Sequence, residues 1–177
     1  MCGDYLISFR EVTEGDFKKL YIWRNLPHVK EFWDPHLDLS YEDIAFKYSK
    51  RLEEGKIKIY IIMISDKDIG YIQTYFISDL SSFKISGITK GIDLYIGEAD
   101  FLHIGLGKDI LREFIQKYVF NDKSVEYAAI DPEVDNKIAI KAYKKAGFEH
   151  VNTAYNEIEK LISYYMVMSR DKFFCNL

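Results

Sequence analysis

The sequence predicts an α+β fold, in which strands and helices are interleaved along one chain. Short apolar stretches with an alternating pattern recur between segments of helical period, which is typical of this class. The chain has 177 residues, enough to bury a core without support from a metal or a disulfide. It contains no internal repeat, linker or low-complexity segment. We therefore expect a single domain over residues 1–177.

The first 54 residues predict one strand and two helices. Residues 6–10 alternate like a strand, and the polar segment 13–16 offers a helix start before residues 17–23. Residues 27–36 are bounded by prolines and predict a loop or a short turn. A second helix is predicted over residues 40–54, because its first four residues, Ser-Tyr-Glu-Asp, resemble a capping box.

The middle of the chain predicts a hairpin, then an irregular segment and then a further strand. Residues 58–64 and 69–76 are apolar and alternating, and the polar residues 65–68 between them predict the turn of the hairpin. Residues 79–84 predict an irregular excursion. The pattern then returns to a strand over residues 91–96.

The last third of the chain predicts two helices and two strands. Residues 102–107 form a glycine-rich turn that leads into a helix over residues 108–115. A strand over residues 127–131 precedes a helix that begins near residue 136. A strand over residues 164–168 closes the series.

The helix near residue 136 has an unusual surface. Asp135 or Asn136 can cap its first turn, and Gly147 can adopt the left-handed conformation that ends it. One side of the helix carries mainly small residues and a single phenol: Ile138, Ala139, Ala142, Tyr143 and Ala146. The opposite side carries only lysines, at positions 137, 141, 144 and 145. The small side chains predict a narrow neighbour.

The glycine-rich turn is a candidate phosphate site. Gly105 and Gly107 stand just before the predicted helix. A helix start of this kind leaves backbone N–H groups available and points the positive end of the helix dipole outward, which favours phosphate. Gly-x-Gly is common in turns, so this motif alone is a weak signal.

Together, the turn and the later helix resemble the Gcn5-related N-acetyltransferase (GNAT) superfamily. The resemblance implies the GNAT fold, with a mixed, mostly antiparallel central sheet flanked by helices. It also implies that acetyl-coenzyme A is the co-substrate and that no metal is required. One departure is Leu102, which stands where the family usually has glutamine or arginine. The resemblance places the coenzyme against Leu94, Tyr95, Ile96, Ile104, Gly105, Leu106, Gly107, Lys108, Asn136, Ala139, Ala142, Tyr143 and Lys145.

Asp93 is the main candidate for acid–base chemistry. An alkyl amine is protonated at pH 7, so acetyl transfer requires a group that binds the ammonium and removes its proton. Strand alternation puts Ile92, Leu94 and Ile96 on one face and Asp93 and Tyr95 on the other. A carboxylate within an apolar strand is costly unless it is paired or solvated by a cleft. The structural alternative is that Asp93 pairs with a lysine or caps a loop.

Within the superfamily, the chain most resembles the aminoglycoside 6′-N-acetyltransferases, through residues 70–75, Gly91-Ile92-Asp93 and Asp131-Pro132. That resemblance implies that Asp93 binds or deprotonates the attacked amine and that Tyr143 protonates the departing thiolate. It implies a substrate site formed by Trp33, Asp34, Gln73, Asp79, Asp93, Glu98 and Asp131. Structural alternatives remain: packing for Trp33 and Tyr143, an outward strand position for Gln73, and a turn cap for Asp131.

Composition and charge limit the other possibilities. The formal net charge of −4 argues against nucleic-acid binding and slightly favours a cationic substrate. No apolar run is long enough to cross a bilayer, and the first residues lack a signal pattern, so we expect a cytoplasmic protein without a membrane partner. Cys2 and Cys175 lie at opposite ends of the chain, and the four histidines predict no zinc site.

Two other functional classes remain open at the level of the sequence. The first is a GNAT acyltransferase for a different amine, such as a siderophore hydroxylamine, a polyamine or a protein N-terminus. The second is a module that binds coenzyme A or an antibiotic without catalysis. We expect a monomer or a homodimer.

Overall fold

The computed structural model describes residues 6–33, 38–157 and 160–175. Within these ranges, seven strands form one sheet in the order β1-β2-β3-β4-β5-β7-β6. The pairs β1–β2, β5–β7 and β6–β7 are antiparallel, whereas β4 and β5 are parallel. The predicted α+β class with a mixed, mostly antiparallel sheet is confirmed. The strands are β1 Ile7–Glu11, β2 Lys58–Ile64, β3 Lys67–Phe76, β4 Thr89–Ile96, β5 Tyr127–Ile130, β6 Glu149–Asn156 and β7 Leu161–Ser169.

The helices begin and end largely where local signals place them. Asp43 N–H donates to Ser40 Oγ at 3.1 Å, and Ser40 N–H donates to Asp43 Oδ2 at 2.9 Å, so the predicted capping box is confirmed. A short π-helical segment, Ile115–Val119, continues the fourth helix. The helices are α1 Phe17–Arg24, α2 Pro27–Lys30, α3 Tyr41–Glu54, α4 Gly107–Phe114, α5 Lys137–Ala146 and α6 Arg170–Cys175.

Several element predictions were incomplete. The segment expected to be a loop or turn after residue 27 contains the helix α2, and the strand β6 and the helix α6 were not predicted. The hairpin turn is shorter than expected, because β3 already begins at Lys67. Ser65, in that turn, has a left-handed φ of 53°. Asp68 looks like a turn residue in the sequence, but its carboxylate is paired with Arg10 and Lys19 in the structure.

The chain divides into two compact units. The first unit comprises Met1–Gln73 and Asp93–Ile104, and the second comprises Thr74–Ile92 and Gly105–Leu177. In the first unit, α1 packs on α3, and the buried cluster includes Leu20, Ile44 and Ile61. In the second unit, α4 packs on α5, and a separate apolar cluster surrounds Ala129 and Tyr165. The single domain expected from the sequence stays a prediction.

A network of charged side chains connects the N-terminal elements of the first unit. Arg10 donates to both oxygens of Asp16, at 2.8 and 2.7 Å, and Thr13 N–H donates to Asp16 Oδ2 at 2.9 Å. Arg10 and Lys19 both contact Asp68 at 2.5 Å. Burial would raise the pKa of Asp16, but the bonds from Arg10 and Thr13 outweigh it and lower this pKa to about 2. The network therefore depends on an ionised Asp16.

This network predicts a stability contribution that depends on pH. The pKa of Asp16 is lower in the folded chain than its ordinary value of 3.8, so its contribution is complete above about pH 4 and is lost as the pH falls towards 2. Asp16→Asn should lower the free energy of unfolding by about 2 kcal/mol at pH 6, and by roughly half as much at pH 3. Urea unfolding at both pH values measures the two differences. A difference that is the same at pH 3 and pH 6 would contradict this account. Asp66→Asn, in the exposed turn before β3, is the control and should behave like the wild type.

Among the residues that the structure describes, no helix is both long and apolar enough to cross a membrane.

Candidate active site

Asp93 lies in the middle of β4, with its carboxylate partly buried. The neighbouring strand β3 supplies Gln73, whose side chain is only 4% exposed. Gln73 Nε2 donates a hydrogen bond to Asp93 Oδ2 at 2.5 Å. A hydrogen bond to the ionised form favours a carboxylate over a carboxylic acid. Asp93 therefore accepts a hydrogen bond from an amide that faces it directly. Gln73 is buried, so it is not the solvent-facing strand residue that its structural alternative required.

Two further side chains contact the same amide on its other side. Arg51 Nη1 lies 2.7 Å from Gln73 Oε1 and 3.0 Å from Tyr71 Oη. Tyr71 Oη lies 2.7 Å from Gln73 Oε1. Burial raises the pKa of the Tyr71 phenol well above its ordinary value, so the phenol stays protonated near neutral pH. Four side chains from α3, β3 and β4 thus form one hydrogen-bonded chain that reaches Asp93.

Aromatic rings pack beside this chain in the first unit. The ring centroid of Trp33 lies 5.0 Å from that of Tyr95 and 6.1 Å from that of Tyr71, both in edge-on geometry. Tyr71 and Tyr95 stack at 5.3 Å. Trp33 is only partly buried, so packing accounts for part of its surface and leaves another part exposed. Tyr95 is buried in this cluster, and contact with a coenzyme could come only from its backbone.

The other acids predicted for the substrate site have varied surroundings. Glu98 Oε1 accepts a hydrogen bond from the indole of Trp23 at 3.0 Å, in the first unit. Asp79 is exposed in the second unit, where its carboxylate accepts from Ser81 N–H at 2.9 Å as in a turn. Asp131 is partly buried just after β5 in the same unit. Asp34 lies outside the described residues.

Within the first unit, the structure brings part of the predicted substrate site together. Asp93 and Gln73 are in direct contact, and Trp33 packs on aromatic rings beside them. Glu98 belongs to the same unit but is held by Trp23. Asp79 and Asp131 belong to the second unit. The turn-like bonding of Asp79 is the structural reading that the sequence interpretation had not considered for it.

The predicted phosphate turn lies in front of α4, where the second segment of the second unit begins at Gly105. Gly105 has a left-handed φ of 88°, a conformation that favours glycine. Leu106 precedes the helix and makes no side-chain cap, so the first backbone N–H groups of α4 have no side-chain acceptor from this position. Ile104 and Lys108 are exposed, whereas Leu106 is buried. A ligand at this turn would contact Leu106 through its backbone only.

The helix α5 confirms the predicted caps. Asn136 Oδ1 accepts from Ala139 N–H at 3.0 Å, which selects Asn136 over Asp135 as the cap. Gly147 ends the helix with a φ of 114°. One narrow neighbour of the small-residue face is α4 itself, because a Cβ added at Gly107 would lie 3.4 Å from Ala142 Cβ.

One apolar residue of α5 was placed wrongly. Ile138 was expected on the small-residue face beside a neighbour, yet it is 65% exposed. Ile140 is the isoleucine that is buried. Two residues along a helix differ by about 200°, so the core faces Ile140 and leaves Ile138 at the edge. Tyr143 is buried on this helix, Ala139 and Ala142 are partly buried, and Lys145 is exposed.

The pairing of β4 changes along its length. The parallel register with β5 runs from Thr89–Tyr127 to Gly91–Ala129. Residues Ile92–Ile96 of β4 lie past the end of this register and include Asp93, Leu94 and Ile96. Backbone groups beyond a register are able to pair with an extended ligand, as in strand addition.

Arg51 and Tyr71 were not identified from the sequence. Tyr71 lies two residues before Gln73, and period-two alternation puts both on one face of β3. This spacing was a usable signal. Arg51 gave none, because an arginine late in an amphipathic helix is ordinarily a solvated residue.

Comparison with known proteins identifies the family. A model of the acetyltransferase (GNAT) domain matches residues 12–155. The chain belongs to this GNAT family. An aminoglycoside N(6′)-acetyltransferase type 1 from Klebsiella pneumoniae is 31% identical over 173 residues, covering 94% of this chain and 85% of the relative.

Solved structures of two acetyltransferases have the same fold as this chain. Aminoglycoside acetyltransferase AAC(6′)-Ib, in complex with coenzyme A and kanamycin, aligns with a TM-score of 0.80 at 30% identity, covering 96% of this chain and 98% of that one. A spermidine N-acetyltransferase from Vibrio cholerae aligns with a TM-score of 0.76 over 95% of this chain and 98% of that one, but at 14% identity it shows the fold alone. Among the described residues of this GNAT domain, no group of three or more His, Cys, Asp or Glu side chains could hold a metal ion.

Proposed function

We propose that the protein transfers the acetyl group of acetyl-coenzyme A to an amino group of aminoglycoside antibiotics, most specifically the 6′-amine, and so confers resistance. The observation that carries the proposal is the partly buried carboxylate of Asp93, held by Gln73 beside aromatic rings, in a chain 31% identical to an aminoglycoside N(6′)-acetyltransferase. A polycationic substrate requires acceptors of this kind, since each hydrogen bond to a charged group contributes about 1.5 to 3 kcal/mol. Trp33, Asp34, Glu98, Asp79 and Asp131 are proposed as the surrounding substrate residues.

In the proposed reaction, Asp93 binds the substrate ammonium and takes its proton as the nitrogen attacks the thioester carbonyl carbon and forms the amide bond. The amine would otherwise stay protonated, because its pKa is about 10 by analogy with lysine. Acetyl-coenzyme A supplies an activated thioester when it is bound. Tyr143 donates its phenolic proton to the sulfur as the carbon–sulfur bond breaks, which leaves the thiol. The transfer is direct and involves no covalent enzyme intermediate.

Three features favour acetyl-coenzyme A as the co-substrate: the start of α4, the small residues of α5 and the end of β4. The start of α4, where Leu106 makes no side-chain cap and the left-handed Gly105 precedes it, favours a pyrophosphate. The small residues of α5 and the backbone of β4 past its register with β5 favour a narrow, extended arm. The residues proposed to hold acetyl-coenzyme A are Leu94, Tyr95, Ile96, Ile104, Gly105, Leu106, Gly107, Lys108, Asn136, Ala139, Ala142, Tyr143 and Lys145, with Tyr95 and Leu106 contributing backbone only.

We further propose that the protein is a cytoplasmic monomer or homodimer, that it forms one domain and that its substrate is a small molecule. The net charge of −4 favours a polycation over a nucleic acid as its partner.

A thiol-release screen tests the proposal. Purified protein, acetyl-coenzyme A and a panel of aminoglycosides are mixed, and free thiol is followed with a chromogenic disulfide. Kanamycin and other compounds with a free 6′-amine should release thiol, and analogues without this amine should not. Release with polyamines alone, or no release with any aminoglycoside, would overturn the proposed substrate.

Tyr143→Phe tests the proposed acid. The substitution removes one hydroxyl and keeps the ring, so acetyl-coenzyme A binding should be unchanged while turnover falls by roughly tenfold. Steady-state kinetics with kanamycin measure both quantities. Tyr155→Phe makes the same chemical change on the exposed face of β6 and is the control. Equal turnover of the two variants would exclude the acid role of Tyr143.

A further inference from the structure

The direction of every hydrogen bond in the chain leading to Asp93 is determined by Arg51. A guanidinium has donors only, so each group that faces it at hydrogen-bond distance must present an acceptor. Arg51 Nη1 faces Gln73 at 2.7 Å, which assigns the oxygen of the Gln73 amide to that side. The nitrogen of the same amide must then face Asp93, at 2.5 Å.

Tyr71 strengthens the same arrangement. Its oxygen lies 3.0 Å from Arg51 Nη1 and accepts from it, so the phenolic hydrogen is directed to Gln73 Oε1 at 2.7 Å. Gln73 Oε1 therefore accepts two hydrogen bonds, which occupies both lone pairs of an amide oxygen. Burial keeps the pKa of Tyr71 well above its ordinary value, so it remains a donor near neutral pH.

The opposite orientation of the Gln73 amide would have a specific chemical consequence. With the oxygen facing Asp93, two acceptors would oppose each other unless the carboxyl carried a proton. The observed orientation favours the ionised carboxylate, and the flipped one favours the acid. Only the ionised form can take a proton from an ammonium.

The guanidinium of Arg51 is itself held in place. Its carbon lies 5.4 Å from the ring centre of Tyr48, which is fully buried in the first unit. A cation over an aromatic face at this distance is stabilised by the ring. Both hydrogens on Arg51 Nη1 therefore have an acceptor: one is directed to Tyr71 Oη and the other to Gln73 Oε1.

We propose that Arg51 is a positioning residue for the reaction: by binding the oxygen of the Gln73 amide, directly and through Tyr71, it makes that amide present its N–H to Asp93. The inference rests on the proposed function, in which Asp93 accepts the proton of the attacked amine. Arg51 contacts neither the substrate nor the reacting atoms in this role, and it acts through Gln73.

Arg51→Met tests the role, with Lys50→Met as the matched control. Both variants remove one positive charge from α3, but Lys50 lies on the surface of the helix, with its Nζ 3.7 Å from Glu54 Oε1. Arg51→Met should lower kcat for kanamycin by about tenfold and leave the KM for acetyl-coenzyme A within about twofold. Lys50→Met should leave both values unchanged. Arg51→Lys keeps a donor-only side chain and should restore most of the lost kcat. The concentration of active sites is determined from coenzyme A binding, so an unfolded fraction of the sample does not lower the kcat that is calculated.

A double-mutant cycle distinguishes positioning from general structural support. If Arg51 acts through the amide, Arg51→Met should have less than about a twofold effect on kcat in a Gln73→Leu background. Tyr71→Phe, which removes only a hydroxyl, should likewise have its effect abolished in that background. Independent, multiplicative effects of the Arg51 and Gln73 substitutions would overturn the inference, as would equal kcat values for Arg51→Met and Lys50→Met.

Asp93→Asn, assayed in parallel, separates this inference from the proposed function. A nearly normal turnover of Asp93→Asn would overturn the role of Asp93 and the inference with it. A strong loss in Asp93→Asn together with normal turnover in Arg51→Met would overturn the inference alone.

Discussion

Asp93→Asn should lower the turnover of kanamycin by about 100-fold, because a general base of this kind contributes between 10²- and 10⁴-fold. Asparagine has almost the same shape and keeps an oxygen that can accept from Gln73 Nε2, so the hydrogen bond observed at 2.5 Å can persist. The variant loses the ability to take a proton from the substrate ammonium. Steady-state kinetics should therefore show a reduced kcat, while equilibrium binding of acetyl-coenzyme A remains as in the wild type.

The control for this substitution is Asp66→Asn. Asp66 lies in the exposed turn between β2 and β3, in the same unit as Asp93, and the chemical change is identical. Asp66→Asn should retain full turnover. If Asp93→Asn retains it as well, the carboxylate is not the base, and the protein would behave as a binding module or use a different group.

The parts of the fold that depend on local interactions were predictable. The ends of α5 are set by Asn136 and Gly147, which act through backbone groups within a few residues. The strand β6 was missed because its sequence, Glu-His-Val-Asn-Thr-Ala-Tyr-Asn, has little apolar alternation. It is stabilised by antiparallel pairing with β7, in a register that runs from Glu149–Val167 to Asn156–Leu161. No local sequence pattern encodes this pairing.

In the candidate site, too, local features of the sequence could be identified, whereas contacts between distant residues could not. Asp93 could be singled out in the sequence because a carboxylate within an apolar strand requires an explanation, and its catalytic role stays a prediction. Its partner Gln73 was singled out only through family resemblance, and the hydrogen bond between them depends on how β3 and β4 are arranged. Arg51 lies more than 20 positions from Gln73 along the chain, on a helix where solvated arginines are common. Its role follows from tertiary contacts alone.

The arrangement of β3 and β4 near Asp93 depends on a glycine. Gly70 is buried in β3, and a Cβ built at this position would lie 2.3 Å from the carbonyl oxygen of Tyr95 and 3.0 Å from the Cα of Ile96. These are backbone atoms of β4, so no side-chain rotation can relieve the contact. The end of β4 is also fixed, because the Gly97 and Glu98 N–H groups both donate to Ile69 O, at 2.8 and 3.0 Å. An alanine at position 70 must therefore separate the two strands.

Gly70→Ala should consequently be among the most destabilising single substitutions in the first unit. Overpacking costs about 1 to 3 kcal/mol, and a clash with backbone belongs at the upper end of this range. For a chain of this size, that corresponds to a fall in the melting temperature of about 10 °C. Separation of β3 from β4 should also weaken the hydrogen bond from Gln73 to Asp93, so turnover should fall even at temperatures where the variant is folded.

Gly15→Ala provides the matched control for this prediction. The nearest atom to a Cβ at Gly15 is Thr13 Oγ1 at 3.6 Å, an ordinary van der Waals contact. This variant should unfold within about 0.5 kcal/mol of the wild type. Thermal unfolding followed by circular dichroism, with kcat measured well below the transition, compares the two alanine variants directly. Equal stability of the two would mean that β3 and β4 can move apart without cost, and the close approach that positions Gln73 against Asp93 would then not be a requirement of the fold.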